Sequence, residues 1–395
     1  MVAQNIIYLD NNATTRCSDS VLQAMLPYFT EGYGNPSSIH TFGGRIAHDV
    51  EMARISFAEL VGADYRNIKG QASEIIFTSC GTESDSAAIR SAVAVNAPRR
   101  RIVTSKVEHP AVLNLCRELA RQGYEIITVG VDEYGRLKMD EYIKAVDTNT
   151  AVVSIMWANN ETGTIFPVEE LAAIAHSKGA LFHTDAVQAV GKVPIDLANS
   201  VIDMASFSGH KIHAPKGIGV LYVRRGVRFR PFLVGGHQES GRRGGTENVP
   251  YIVGIGVAAA EARAHLQEEI KHTSALRDML ENGIAEAIPR IRINGDLEHR
   301  LPNTSSVSFE GIEGEAILMH LDRYGICASS GSACTTGSLE PSHVLRAMGL
   351  PYTAAHGTIR FSFSRGNTEA EVKRVLEVLP EIISTLRELS PFWSE

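Results

Sequence analysis

Lys211 and Asp185 are the two residues of this sequence around which chemistry can be built. The lysine closes Ser206-Phe-Ser-Gly-His-Lys211, after a run over 201–205 that reads as a strand and before the turn-rich Ala214-Pro-Lys-Gly217. A lysine just past a strand can be held in a partly desolvated place. There the ammonium is disfavoured and the neutral amine becomes available to form an imine. The ordinary alternative is a solvated loop cation. Asp185 ends the apolar strand Ala180-Leu-Phe-His-Thr-Asp185, at a sheet's carboxyl edge, where ligands of open α/β folds collect. Alone, it would more simply be a helix N-cap. The two lie about one strand–connection–strand unit apart. An imine-forming lysine with a buried carboxylate is the pair pyridoxal phosphate requires: one carries the aldehyde, the other keeps the pyridinium nitrogen protonated.

A phosphate needs donors, and Thr78-Ser-Cys-Gly-Thr-Glu-Ser-Asp85 offers them. A strand over 74–78 runs through a small-residue turn into a helix, with Thr82 and Asp85 at capping-box spacing. Free N–H groups at that helix start form an anion site, and the Ser208 hydroxyl and His210 imidazole are close enough to Lys211 to join it. His109 precedes Pro110, itself at a natural first helical position; it is either a cap or an aromatic ring over the cofactor. Arg360, in Thr358-Ile-Arg-Phe-Ser362, alternates with apolar residues. Its guanidinium either clamps a substrate carboxylate through two parallel bonds or closes an internal ion pair. Asn159-Asn-Glu-Thr-Gly163 is another turn at the sheet's carboxyl edge.

Cys334 sits in Ala328-Ser-Ser-Gly-Ser-Ala-Cys-Thr-Thr-Gly-Ser338, small, polar and flexible. With almost no apolar neighbours to pack against, this thiol is either exposed and reactive or an inert small side chain. Cys327, between Ile326 and Ala328, reads as buried. His210 and His213 have the wrong spacing for a zinc helix, so no resident metal is expected.

These residues need elements to hold them. The 395 residues suffice for two or three domains, and 44% apolar with 21% charged residues is ordinary for a soluble globular protein. The net charge is −7, without a long basic run, so neither a nucleic-acid nor a membrane-surface partner is expected. Five scattered cysteines with no Cys-x-x-Cys pair fit a reducing compartment. The first fifteen residues lack a signal-peptide pattern, and no apolar run would span a bilayer; a cytoplasmic location is expected. From about residue 70, strands over 74–78, 101–105, 125–129, 151–156 and 180–183 alternate with helices over 83–95, 111–121 and 168–177. That alternation implies a mostly parallel sheet with helices on both faces. Residues 252–288 read as helix broken near 272–274. Strands over 305–309, 328–330 and 358–362, with helices over 315–323 and 342–347, suggest a smaller α+β domain.

The sequence resembles the cysteine desulfurases of the NifS/IscS type over nearly its whole length. The resemblance rests on Tyr8-Leu-Asp-Asn-Asn-Ala-Thr-Thr15, Gly34-Asn-Pro36, Phe77-Thr-Ser-Cys-Gly-Thr-Glu-Ser84, Ser208-Gly-His-Lys211 and Ser329-Ser-Gly-Ser-Ala-Cys334, in that order. Met156-Trp-Ala-Asn-Asn-Glu-Thr-Gly163 and Leu389-Ser-Pro-Phe-Trp393 look like the nitrogen-fixation branch, NifS. The resemblance implies a fold-type I pyridoxal-phosphate enzyme with a large cofactor-binding domain over 16–261. Residues 1–15 and 262–395 would form a small domain carrying the Cys334 loop. It further implies Lys211 as the imine former and proton carrier, Asp185 on the pyridinium nitrogen, Gln188 on the ring hydroxyl and His109 stacked on the ring. Gly81, Thr82, Ser208 and His210 would hold the phosphate, joined by Thr246 of a neighbouring subunit in a homodimer. Asn160, Arg360 and, less centrally, Asn35 would hold the carboxylate of L-cysteine. Cys334 would be the nucleophile that takes its sulfur and passes it to an iron–sulfur scaffold protein, with transient ligation of a cluster by Cys334 as the one metal contact. Other readings in view are a selenocysteine lyase or aminotransferase of the same fold, and a non-catalytic sulfur carrier.

Overall fold

Short strands that are apolar on both faces are satisfied only between two layers of helix, and this chain builds seven of them into one sheet. The computed structural model describes residues 6–65, 73–330 and 341–393. Its strands are β1 (Ile7–Tyr8), β2 (Ile75–Thr78), β3 (Arg101–Ser105), β4 (Glu125–Val129), β5 (Thr150–Ser154) and β6 (Leu181–Asp185). They continue with β7 (Met204–Ser208), β8 (Gly219–Val223), β9 (Ile291–Ile293), β10 (Thr304–Phe309), β11 (Ile326–Cys327) and β12 (Thr358–Ser362). The large sheet runs β2-β8-β7-β6-β5-β3-β4. Only β8 is antiparallel to its neighbours, so the other six strands end at one common edge.

Successive residues feed two different cores, as the period of a strand requires. Ile75 and Phe77, Val103, Val153, Ala205 and Val220 pack beneath helices Thr41–Leu60, Val168–Ser177 and Val249–Ala287. Their neighbours Ile76, Ile102, Val152, Met204 and Leu221 pack under Gly81–Val95 and Pro110–Arg121. A separate three-stranded antiparallel sheet, β12-β10-β9, packs Val307, Phe309, Ile359 and Phe361 against helices Gly314–Arg323 and Glu369–Leu389. The parallel pair β1-β11 brings the amino-terminal segment to it, with Leu9 in the same core.

Three expectations are corrected. The strand expected at 201–205 begins at Met204 and reaches Ser208. The Asp203 carboxylate, held also by His176, takes the Phe182 N–H at 2.7 Å in place of a backbone carbonyl, so the regular ladder begins one residue on, with His183 opposite Met204. The expected break near 272–274 is absent, and one helix spans Val249–Ala287. Buried Thr273 returns its hydroxyl to the Glu269 carbonyl at 2.7 Å, while His272 bonds the Asn367 carbonyl at 2.8 Å, so both polar side chains are satisfied without ending the helix. The strand expected at 328–330 is β11 instead, because β1 offers two residues to pair; Ser329 makes only an isolated bridge to Arg360.

Candidate active site

The common strand edge opens into a cavity of about 540 Å³, a size suited to a small ligand. Lys211 reaches it from a single 3-10 turn, Gly209–Lys211, directly after β7. The turn passes close enough to its surroundings that a Cβ on Gly209 would meet Ile218 Cγ2 at 2.7 Å. Lys211 Nζ donates to the carbonyls of Asn12 at 2.5 Å and Ala13 at 2.8 Å. Asp185, ending β6, lines the same cavity and accepts the Val187 N–H at 3.0 Å, capping a turn and not a helix. Burial raises its carboxyl above the usual range, opposed by the charges of His109 and Lys211.

The expected capping box is not formed. The helix begins at Gly81, so Glu83 occupies its third position and its carboxylate takes the Ser79 N–H at 2.7 Å. Asp85 lies a further half-turn on and points inward. It lines the cavity with Oδ1 3.6 Å from His183 Nε2 and, among the described residues, without a hydrogen-bond partner for that atom. Burial, then the charge of Asp185, raises its carboxyl well above the ordinary range. His183 is held at 2.9 Å by Ser154 on one ring nitrogen and at 2.9 Å by Ser206 on the other; burial lowers it to about 3, so it is neutral. Cys80, the N-cap, makes no side-chain bond to the helix. The first-turn donors at Gly81 and Thr82 therefore meet the cavity wall uncapped. A Cβ on Gly81 would sit 2.9 Å from Val187 Cγ2, so only glycine fits there without a shift.

His109 is a cap, and it also lies at the cavity. Its Nδ1 accepts the Ala111 N–H at 3.2 Å, capping the next helix, and its ring lines the cavity, where burial lowers its pKa. Ser208, His210, Gln188 and Asn160 line it too. His210 lies 3.2 Å from the Thr14 hydroxyl and is lowered to about 3 by burial. Arg360 closes an internal ion pair with Asp10 at 2.7 Å and bonds the Asn160 carbonyl at 3.0 Å, and it also lines the cavity. Its buried Nε has no partner among the described residues.

Three expected residues stand apart. Thr246 borders a different cavity, of about 180 Å³, beside Ser79, Glu239 and Arg243. Asn35 is exposed and accepts the Ser37 N–H at 2.8 Å. Cys334 lies outside the described residues, although the chain on either side stays close: Ser329 pairs with Arg360, and Pro341 and Ser342 line the cavity. Cys327 is half-buried, not buried, because β11 is an edge strand of two residues. Asn12, Ala13, Asp85 and His343 line the cavity without having been singled out as site residues. Asn12 and Ala13 lie inside Tyr8-Leu-Asp-Asn-Asn-Ala-Thr-Thr15, the signal by which they could have been found.

A family model for class-V aminotransferases matches residues 7–375. A cysteine desulfurase of Gluconacetobacter diazotrophicus is 61% identical over 390 residues, covering 98% of this chain and 96% of that protein. The cysteine desulfurase NifS of Azotobacter vinelandii is 58% identical over 388 residues, covering 98% and 95%. This chain belongs to the class-V aminotransferases, and within them to the cysteine desulfurase family. Among solved structures, a NifS-like protein superposes on this member of the family with a TM-score of 0.89 at 42% identity, covering 96% of this chain and 100% of that one. The fold is therefore the fold-type I architecture of pyridoxal-phosphate enzymes, the cofactor with which the family works. The cavity fits such a group. It offers an amine and a carboxyl at adjacent strand ends, a helix start with no side-chain cap for an anion, and a buried guanidinium nitrogen without a partner among the described residues.

Proposed function

We propose that this chain is a pyridoxal-phosphate-dependent cysteine desulfurase, converting L-cysteine to L-alanine and leaving the sulfur as a persulfide on Cys334. The observation that carries this is the meeting of Lys211, Asp185, the Gly81–Thr82 helix start and Arg360 in one cavity, in a chain about 60% identical to proteins of that name. When bound, pyridoxal phosphate supplies an aldehyde that takes an amine covalently and a ring that absorbs the charge left by a departing Cα proton. Lys211 is the attachment point and later the base that moves that proton. Asp185 keeps the ring nitrogen protonated, Gln188 meets the ring hydroxyl and the His109 ring stacks on it. Gly81, Thr82, Ser208 and His210 hold the phosphate, with Thr246 from the second subunit of a homodimer. Arg360 and Asn160 hold the substrate carboxylate, with Asn35 a further contact.

Cys334 acts as thiolate on the substrate sulfur. An S–S bond forms as the Cβ–S bond breaks, and the substrate carbon skeleton takes up the protons. Cysteine plus thiol thus balances alanine plus persulfide, with no outside oxidant. The acceptor is an iron–sulfur scaffold protein, in service of nitrogenase, in the cytoplasm. No helix among the described residues is long and apolar enough to cross a membrane. Residues 16–261 and the pair 1–15 with 262–395 form the large and small domains of this reading.

Purified protein should be yellow and should release sulfide and alanine from L-cysteine. Cys334→Ala should keep the colour and release neither, and after one turnover of wild type the added sulfur should be found on the peptide containing Cys334. Normal desulfuration by Cys334→Ala, or sulfur on Cys327 instead, overturns the assignment.

A further inference from the structure

Lys192 lies just past β6, four residues after Gln188, and is 7% exposed. A lysine so buried must be paired to be tolerated. Its Nζ donates to Gln188 Oε1 at 2.9 Å and to the Gln188 carbonyl at 3.2 Å. At the other end of the carboxamide, Nε2 donates to the Asn12 carbonyl at 3.0 Å. That carbonyl is the one that accepts Lys211 Nζ at 2.5 Å.

We propose that Lys192 is a positioning residue of the cofactor site, acting through Gln188 to fix which end of its carboxamide faces the cofactor. This rests on the reading above, in which Gln188 meets the ring hydroxyl. An amide can present oxygen or NH₂ to a ligand, and nothing within the side chain decides between them. Here a lysine, which can only donate while charged and still donates when neutral, occupies one end, and a carbonyl occupies the other. The two contacts set Oε1 toward Lys192 and Nε2 toward Asn12, which lines the cavity together with Gln188, and Nε2 carries a second hydrogen besides the one given to Asn12. A methionine of similar length would fill the space and remove the donor on Oε1, leaving the Asn12 carbonyl alone to select the orientation.

The groups around Lys192 are consistent with a fixed donor. It shares a cavity of about 10 Å³ with Lys211, His213, Glu269 and Arg365, room for at most about one water. Burial, then the positive charge of Lys211, lowers Lys192 to about 7, with Glu269 opposing and Arg360 assisting. The ammonium can only donate and so selects Oε1, while the Asn12 carbonyl holds Nε2 in either protonation state of Lys192.

The test is a spectrophotometric pH titration of the lysine-bound cofactor in wild type, Lys192→Met, Gln188→Ala and the double variant. A donor on the ring oxygen favours the form with more negative charge there, so losing it moves the spectral change to higher pH, by about half a unit or more. Lys192→Met should shift it in the same direction as Gln188→Ala, and the double variant no further than Gln188→Ala alone. Lys192→Arg, which keeps a donor, should titrate like wild type; it also serves if Lys192→Met fails to fold, since an Arg variant shifted as far as Gln188→Ala refutes the proposal. A titration of Lys192→Met identical to wild type, or shifts that add in the double variant, overturns it. No lysine-bound absorption in wild type overturns the cofactor reading itself, and this proposal with it.

Discussion

The Arg360 guanidinium is committed to Asp10 at 2.7 Å and to the Asn160 carbonyl at 3.0 Å, while its buried Nε has no partner among the described residues. Lysine could keep one of these contacts and not the planar set. Arg360→Lys should therefore raise KM for L-cysteine roughly 10- to 100-fold, the worth of a charged hydrogen bond or two, and leave the bound cofactor's absorption unchanged. Steady-state kinetics beside an absorption spectrum checks both halves; an unchanged KM would move the carboxylate site towards Asn160. At this scale residue type carried much of the information. Lys211 and Asp185 were singled out by residue type, and the structure brings both to one cavity. Asp85 was misread as half of a capping box, because spacing alone cannot say that the helix begins at Gly81 and that Glu83, not Asp85, turns back.

The helices Thr41–Leu60 and Val249–Ala287 meet where Gly256 lies over Ala53, and a Cβ on Gly256 would come within 2.6 Å of Ala53 Cα and Cβ. The backbone of Ala53 cannot swing aside as a long side chain could. Gly256→Ala should destabilise the protein by about 1–3 kcal/mol through overpacking, read as a lower melting temperature, with the cofactor absorption retained in the folded fraction. A melting temperature at or above wild type would show that the helices can part without loss. The elements themselves were largely legible, since strands such as β3 and β5 are short runs rich in valine, isoleucine and threonine. Their ends were less so. Whether β7 starts at 201 or 204 depends on what Asp203 bonds across the sheet, and the unbroken helix through Thr273 depends on the Asn367 carbonyl brought from far along the chain.

Across the whole molecule, stability depends on pH through groups buried at the strand ends. Glu108 is fully buried; one oxygen takes the Ser105 hydroxyl at 2.6 Å and the Met156 N–H at 3.0 Å, and the other has no partner among the described residues. Burial raises it from 4.5 to about 8. Between those values the folded state holds a proton that the unfolded state has released, so stability present below about pH 4.5 is lost as pH rises towards 8. Glu108→Gln removes that dependence. It should gain on the order of 1–3 kcal/mol over wild type at pH 8 and little or nothing near pH 5, measured by denaturant unfolding at the two values. An equal effect at both would mean that Glu108 does not titrate in this window.

The order of apolar and polar residues by itself determined the alternating sheet with helices on both faces, since period-2 and period-3.6 patterns each have one way to hide their apolar side. It also determined the chemical types available at the strand ends, through short motifs whose residues lie close along the chain. Only the tertiary structure decided which of them meet. Arg360 comes to Asp10 and Asn160, Lys192 to Gln188, and Lys211 to the carbonyls of Asn12 and Ala13. Most of these contacts join residues 150 or more positions apart, and Asn12, Ala13 and Asn160 contribute through their carbonyls, a group every residue carries. Which carbonyl points where depends on how the elements pack against one another, and local patterning holds no record of that.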